Sequence, residues 1–188
     1  GDNNQALAHL NIANSISNDL KSNSVTVIDS ITFASPIILK SSTVLNAAIV
    51  DIQSTLDNGG FDIVFNTTDT KELSKVFGVI SGTGDLTKEG LGDLSFYGVN
   101  SMTGDLFINS GSVINKNAAT SIFPGVTEFS LAINAEAYLG SGGTSSATFE
   151  LNNGQLLKGE GVCYCNLLVK SGATLSPGFS PGLLGMNG

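Results

Sequence analysis

The stretch that decides the fold reads Gly82-Thr83-Gly84-Asp85-Leu86-Thr87-Lys88-Glu89-Gly90-Leu91-Gly92-Asp93-Leu94-Ser95-Phe96, and Gly104-Asp105-Leu106 follows it. It contains two Gly-Asp-Leu triplets, and the first of them recurs 20 residues later in the third. Around them apolar and polar residues alternate, which puts the apolar side chains on one face of each short strand. Strands this short bury that face only when one turn of chain stacks on the next. The pattern predicts an all-β, right-handed parallel β-helix in one elongated domain.

Composition supports a solenoid with a buried core. The chain has 188 residues, of which 41% are hydrophobic, and its 23 glycines against 4 prolines favour many turns. A coil of about 20 residues predicts roughly nine coils. We expect residues 1–24 to form an irregular N-terminal coil or cap and residues 25–188 to form the β-helix. Within it, residues 44–52 and 163–175 read as unbroken strand regions, and residues 69–75 as an exposed loop or one helical turn.

Charge excludes several classes of partner. All eight basic residues are lysines, and 16 acidic residues give a net charge of −8, so no basic stripe exists to contact a phosphate backbone. We therefore expect no nucleic-acid partner and no membrane contact by this segment, since an apolar run of about 20 residues would be needed to span a bilayer. The chain starts at Gly1 without a signal sequence, which suggests a piece of a longer product.

The two cysteines, Cys163 and Cys165, are two residues apart, so in a strand both side chains point to the same, apolar face. We interpret them as small core residues, because free cysteine packs as a hydrophobe. A disulfide between neighbours on one strand would be strained. A metal site would need further ligands, and the only histidine, His9, is distant in the sequence.

Residues 82–100 resemble the passenger-associated repeat of bacterial autotransporters, whose pattern is GxGxLxKxGxGxLxLxGxN. The resemblance continues into residues 103–111, which match the strand that follows the repeat. Residues 169–182 are similar to a second passenger signature, an alternating strand followed by GxxLxPGxSPG. The chain thus resembles a β-helical passenger domain of the type V secretion pathway.

This resemblance implies a non-catalytic fragment of a secreted or surface-exposed passenger, acting as a rigid stalk and as an adhesin or virulence-factor surface. It implies export through the outer membrane to the bacterial cell surface, and covalent continuity with a membrane β-barrel in the full-length protein. The implied partner is a host surface protein or glycan, or another copy of the chain. Two alternatives stay open: a self-associating aggregation module that uses ladders of Asn, Thr and Ser, and the scaffold of a β-helical toxin or carbohydrate-active enzyme.

The sequence contains few candidate residues for catalysis. A 20-residue coil would stack Asp85 on Asp105 about 4.8 Å apart, where they could serve as paired carboxylates or bridge calcium, although solvated charges are the simpler reading. A Ser/His/Asp triad could use only His9, and no GxSxG turn displays a serine nucleophile. We predict no catalytic, cofactor-binding or metal-binding residues.

Two further expectations concern Lys88 and the ends of the solenoid. Lys88 lies two residues after Leu86, so in an unbroken strand its side chain would be buried. We therefore expect it at the corner that begins at Gly90, with its ammonium group in water. The apolar coil at residues 173–184 lacks an obvious cap, which predicts weak end-to-end association, while residues 6–20 shield the other end.

Overall fold

The computed structural model describes residues 7–12, 18–178 and 184–186, and there the chain forms 23 short strands, numbered β1 to β23 in chain order. All their pairings are parallel. Sheet A contains β1 (His9–Ile12), β4 (Ser30–Phe33), β7 (Ile49–Ile52), β10 (Ser74–Val76), β13 (Asp93–Phe96), β15 (Ser112–Asn115), β17 (Glu136–Tyr138), β20 (Val162–Cys163) and β23 (Gly185–Met186). Sheet B contains β2 (Asn18–Leu20), β5 (Ile37–Leu39), β8 (Leu56–Asp57) and β11 (Ile80–Ser81). Sheet C contains β3 (Ser24–Thr26), β6 (Thr43–Ala47), β9 (Ile63–Thr67), β12 (Leu86–Glu89), β14 (Leu106–Ile108), β16 (Glu128–Leu131), β19 (Leu156–Gly159) and β22 (Thr174–Pro177). Sheet D pairs β18 (Thr148–Leu151) with β21 (Asn166–Val169), and Ser141–Gly143 form a short 3-10 turn.

Each coil runs from sheet A to sheet C, and six of the eight coils place a sheet B or sheet D strand between them. Eight coils are complete in the described residues, and β23 begins a ninth. The predicted fold class, an all-β parallel β-helix in a single domain, is confirmed.

Coil length varies around the predicted period. Leu86 pairs with Leu106 at a spacing of 20 residues, whereas Glu136 pairs with Val162 at a spacing of 26. Loops that lengthen some coils therefore reduce the predicted nine coils to eight complete ones.

The core is one continuous column of apolar side chains. Ile63, Leu86, Leu106, Phe129 and Leu157 are register partners in successive coils of sheet C, and all five are fully buried. Successive coils thus share one core, as repeat architectures require.

Two of the expected strand regions are divided by corners. Residues 44–52 contain β6 and β7, which belong to sheets C and A and meet at Ala48, and residues 163–175 cross three sheets. Periodicity cannot detect a corner that keeps the alternation of apolar residues. Of the loop or helical turn expected at residues 69–75, residues 69–73 form a loop without helix, and the last two residues belong to β10. The expected irregular cap at residues 1–24 contains regular strands, since β1 and β2 pair with β4 and β5, and residues 1–6 and 13–17 lie outside the described residues.

The last complete coil leaves part of its apolar face uncovered. Leu175 is the register partner of buried Leu157 and yet is 40% exposed, and Val169, the partner of buried Leu151, is 45% exposed. The expected end-to-end association was assigned to residues 173–184, of which Leu175 belongs to this surface and residues 179–183 lie outside the described residues. Among the described residues, no helix is long and apolar enough to cross a membrane.

Candidate functional site: the outer face of sheet C

The outer face of sheet C carries three parallel columns of side chains that run across several coils. Strand geometry creates them, because alternate residues point outward and the parallel register places like positions one above another. The central column is Val44, Val64, Thr87 and Phe107, all partly exposed. An amide column on one side contains Asn46, Asn66, Glu89 and Asn109, and an acid column on the other contains Asp62, Asp85 and Asp105.

The acid column is a hydrogen-bonded ladder between coils. The backbone N–H of Asp85 donates to Oδ1 of Asp62 at 3.1 Å, and the N–H of Asp105 donates to Oδ1 of Asp85 at 2.8 Å. Ser42 Oγ begins the ladder by accepting from the N–H of Asp62, and the hydroxyl of Thr127 ends it by donating to Asp105 at 2.6 Å. Asp62 and Asp85 therefore each satisfy a backbone donor of the next coil, as side-chain caps do elsewhere, and Asp105 accepts from a side-chain hydroxyl of the next coil.

This ladder explains two of the Gly-Asp-Leu triplets. A Cβ at Gly104 would overlap the carbonyl oxygen of Gly84, so a coil can approach its neighbour here only when the residue is glycine. The aspartate that follows accepts the hydrogen bond between coils, and the leucine enters the core. In each of these triplets, glycine permits the close approach of two coils, aspartate hydrogen-bonds them and leucine packs in the core.

The stacking of Asp85 and Asp105 was predicted, and the described residues contain no group of three or more His, Cys, Asp or Glu suited to a metal ion. We predict that Asp85→Asn leaves the melting temperature nearly unchanged, because the amide oxygen accepts the same N–H. Asp85→Ala should cost about 1 kcal/mol of unfolding free energy, because the N–H of Asp105 then loses its acceptor. Thermal unfolding with calcium and with chelator checks this: a calcium-dependent stabilisation that Asp85→Asn abolishes would instead establish a calcium site.

The amide column is also connected between coils, since Asn109 donates its Nδ2–H to Oε1 of Glu89 at 2.7 Å. Beyond Phe107 the central column continues as Ser130, Lys158 and Ser176, which line an open groove of about 450 Å³. Here Nζ of Lys158 lies 2.6 Å from Oε1 of Glu128. Along the solenoid, the face thus changes from a mainly apolar centre, bordered by the amide and acid columns, to a polar and charge-paired surface.

Lys88 lies at the predicted corner, but its ammonium group is not in water. It has no exposed surface, and its ammonium group lies inside the corner, where it donates to the backbone carbonyls of Glu89, Gly90 (2.8 Å) and Ser110 (3.3 Å). Burial lowers the pKa of Lys88 to about 8, partly offset by the nearby carboxylates of Asp93 and Glu89. The expectation of an ammonium in water was wrong because corner carbonyls from two coils converge on it.

Buried amides hold other corners, and sequence reasoning missed them. Asn58 Oδ1 accepts from the N–H of Gly84 while its Nδ2 donates to the carbonyl of Gly84, and Asn100 accepts from the N–H of Ile80. Gln155 donates to the carbonyl of Val126 at 2.7 Å. The available signal was an amide side chain next to or two residues from a glycine, at a turn between two strands.

His9 lies between a serine and an aspartate of the next coil. Its Nδ1 is 2.8 Å from Oγ of Ser30, its Nε2 is 3.4 Å from Oδ2 of Asp29, and the His9 and Asp29 side chains are more than half exposed. Nucleophilic catalysis would also require oxyanion donors and a substrate pocket. Two open cavities, one lined by residues within 130–178 and one by residues within 148–186, lie toward the other end of the solenoid.

Cys163 and Cys165 are both buried, as the strand parity predicts. Interaction between the two thiols, together with burial, raises the pKa of Cys163, and the same interaction lowers the pKa of Cys165.

Comparison of the chain with protein-family models, with curated proteins and with solved structures found no match. The class of protein that the geometry defines is a parallel β-solenoid.

Proposed function

We propose that this chain is a rigid, non-catalytic segment of an autotransporter passenger at the bacterial cell surface, and that the outer face of sheet C binds a host surface protein or glycan. The observation that carries the proposal is the alignment of the central and amide columns over coils two to five, beside the acid column of coils three to five. A face with a partly exposed apolar centre and hydrogen-bonding borders suits adhesion, because the centre offers apolar contact area and the borders offer directional hydrogen bonds.

The two passenger-like motifs coincide with structural features of the solenoid. The first occupies residues 82–100, where Gly84 packs against the preceding coil and Lys88 holds a corner. The second begins at Val169 and spans β22, and its residues 179–182 lie outside the described residues. These coincidences support a passenger stalk, whose stiffness comes from the continuous core and the hydrogen bonds between coils.

Charge favours a different molecule over a second copy as the partner. In a face-to-face pair of copies, the acid columns would meet in one orientation and repel each other, and each chain carries a net charge of −8. A glycan or a host protein can instead donate hydrogen bonds to the free carboxylate and amide oxygens, and place apolar atoms on Val64 and Phe107.

The test compares two matched double variants. Val64→Ser with Phe107→Ser removes the apolar centre of the sheet C face, whereas Phe77→Ser with Tyr97→Ser removes a stacked aromatic pair next to sheet A, with ring centroids 4.7 Å apart. Beads coated with the purified chain are applied to cultured epithelial cells and to an array of mammalian glycans. We expect the wild-type chain and the Phe77/Tyr97 variant to bind, and the Val64/Phe107 variant to lose about tenfold or more in affinity.

Absence of binding by the wild-type chain, or equal loss in both double variants, would contradict the proposed face. Clustering of coated beads with one another that only the Val64/Phe107 variant abolishes would replace the host partner with a second copy of the chain.

A further inference from the structure

The two cysteines converge because the chain bends between their strands. Cys163 ends β20 and Cys165 lies at the bend before β21, and both side chains are buried in the interior close enough for their thiols to interact. Cys163 has no exposed surface and Cys165 is 2% exposed.

A third sulfur joins them from the ninth coil. Strand β23 pairs with β20, and Met186 is the register partner of Cys163. The preceding Gly185 faces the side chain of Val162 on the outer side, so alternation places Met186 on the side of Cys163, at the open end of the solenoid, where Met186 is 40% exposed. Cys165 and Met186 also line one open cavity of about 560 Å³ at the end of the solenoid, which gives access from solvent.

We propose that Cys163, Cys165 and Met186 form a binding site for Cu(I), with two thiolates and one thioether as ligands. Soft sulfur ligands select Cu(I) among biological metals. On binding, each thiol releases its proton to solvent, each sulfur donates an electron pair to the ion, and no change of oxidation state occurs.

The donor set discriminates against zinc. Structural zinc takes four N, S or O ligands, and the part of the chain that the structure describes offers no group of three or more His, Cys, Asp or Glu that could hold a metal. The prediction of no metal site was based on the lack of nearby histidine or further cysteine ligands. It did not include a thioether, which the pairing of β20 with β23 supplies from the next coil. This site is independent of the sheet C face.

The experiment is an anaerobic titration of the reduced chain with Cu(I) in competition with the chelator bicinchoninate. Binding is followed by thiolate-to-copper charge-transfer absorption, and X-ray absorption counts the sulfur ligands. We expect one Cu(I) with three sulfur neighbours per chain. Cys163→Ser, Cys165→Ser and Met186→Leu should each weaken binding by about tenfold or more, which corresponds to ~1.4 kcal/mol.

Met102→Leu is the matched control, because Met102 is the other methionine and is buried away from the cysteines in the fifth coil. It should bind Cu(I) like the wild-type chain, and circular dichroism verifies that every variant keeps its β spectrum. The proposal is overturned if Cu(I) binds no tighter to the wild-type chain than to a Cys163→Ser/Cys165→Ser double variant. It is also overturned if Met186→Leu and Met102→Leu bind equally.

Discussion

Leu86→Asp is expected to unfold the chain at room temperature. Leu86 is fully buried between its register partners Ile63 and Leu106, so the variant places a carboxylate in an apolar column without a partner. An uncompensated buried charge costs several kcal/mol, a large part of the 5–15 kcal/mol that typically stabilises a domain. Far-ultraviolet circular dichroism and urea unfolding measure the loss.

Thr87→Asp is the matched control for this variant. Thr87 is the next residue of the same strand but points to the outer face of sheet C, where it is partly exposed. Its unfolding free energy should stay within about 1 kcal/mol of the wild-type value. Equal stability of the two aspartate variants would mean that the alternation of β12 is not the one described.

Lys88→Met has the second largest expected effect. Methionine fills the volume of the lysine stem but leaves the carbonyls of Glu89, Gly90 and Ser110 without their shared donor inside a corner. Because a buried acceptor without a partner costs about 1–3 kcal/mol, we expect a loss of about 3 kcal/mol in unfolding free energy. Lys116→Met, at an exposed lysine, should change it by less than about 1 kcal/mol.

The pH dependence of stability gives an independent measure of Lys88. Its folded pKa of about 8 lies below the ordinary value of 10.5, so between these pH values the unfolded chain binds a proton that the folded chain does not. The unfolding free energy of the wild-type chain should therefore rise by about 2 kcal/mol between pH 8 and 10, and this rise should be absent in Lys88→Met. Above pH 10 the effect reverses in part, because burial raises the pKa of Tyr138 to about 12. A flat wild-type profile between pH 8 and 10 would contradict the lowered pKa of the buried Lys88.

Much of the fold could be predicted from local patterns. The spacing of Gly84-Asp85-Leu86 and Gly104-Asp105-Leu106 contains the register of sheet C, since Leu86 does pair with Leu106. The stacking of Asp85 on Asp105 follows from the same spacing. These features repeat at a fixed interval, so the sequence carries them explicitly.

What could not be predicted depends on contacts between residues of different coils. Parity placed Lys88 on the buried face, but the carbonyl of Ser110, which helps to hold its ammonium, belongs to the next coil. Likewise, Met186 reaches Cys163 only through the pairing of β20 with β23. Alternation reveals which face a residue occupies, but it does not reveal which backbone groups a corner turns toward it.

Parallel stacking of the coils aligns the columns of sheet C. Nuclear magnetic resonance couplings across hydrogen bonds test this stacking most directly. We predict couplings from the amide nitrogen of Leu86 to the carbonyl carbon of Asp105, and from that of Ile63 to that of Asp85, both across N–H···O distances of 2.9 Å. Couplings that join these amides instead to carbonyls of an adjacent antiparallel strand, only a few residues away in sequence, would contradict the solenoid and the binding face built on it.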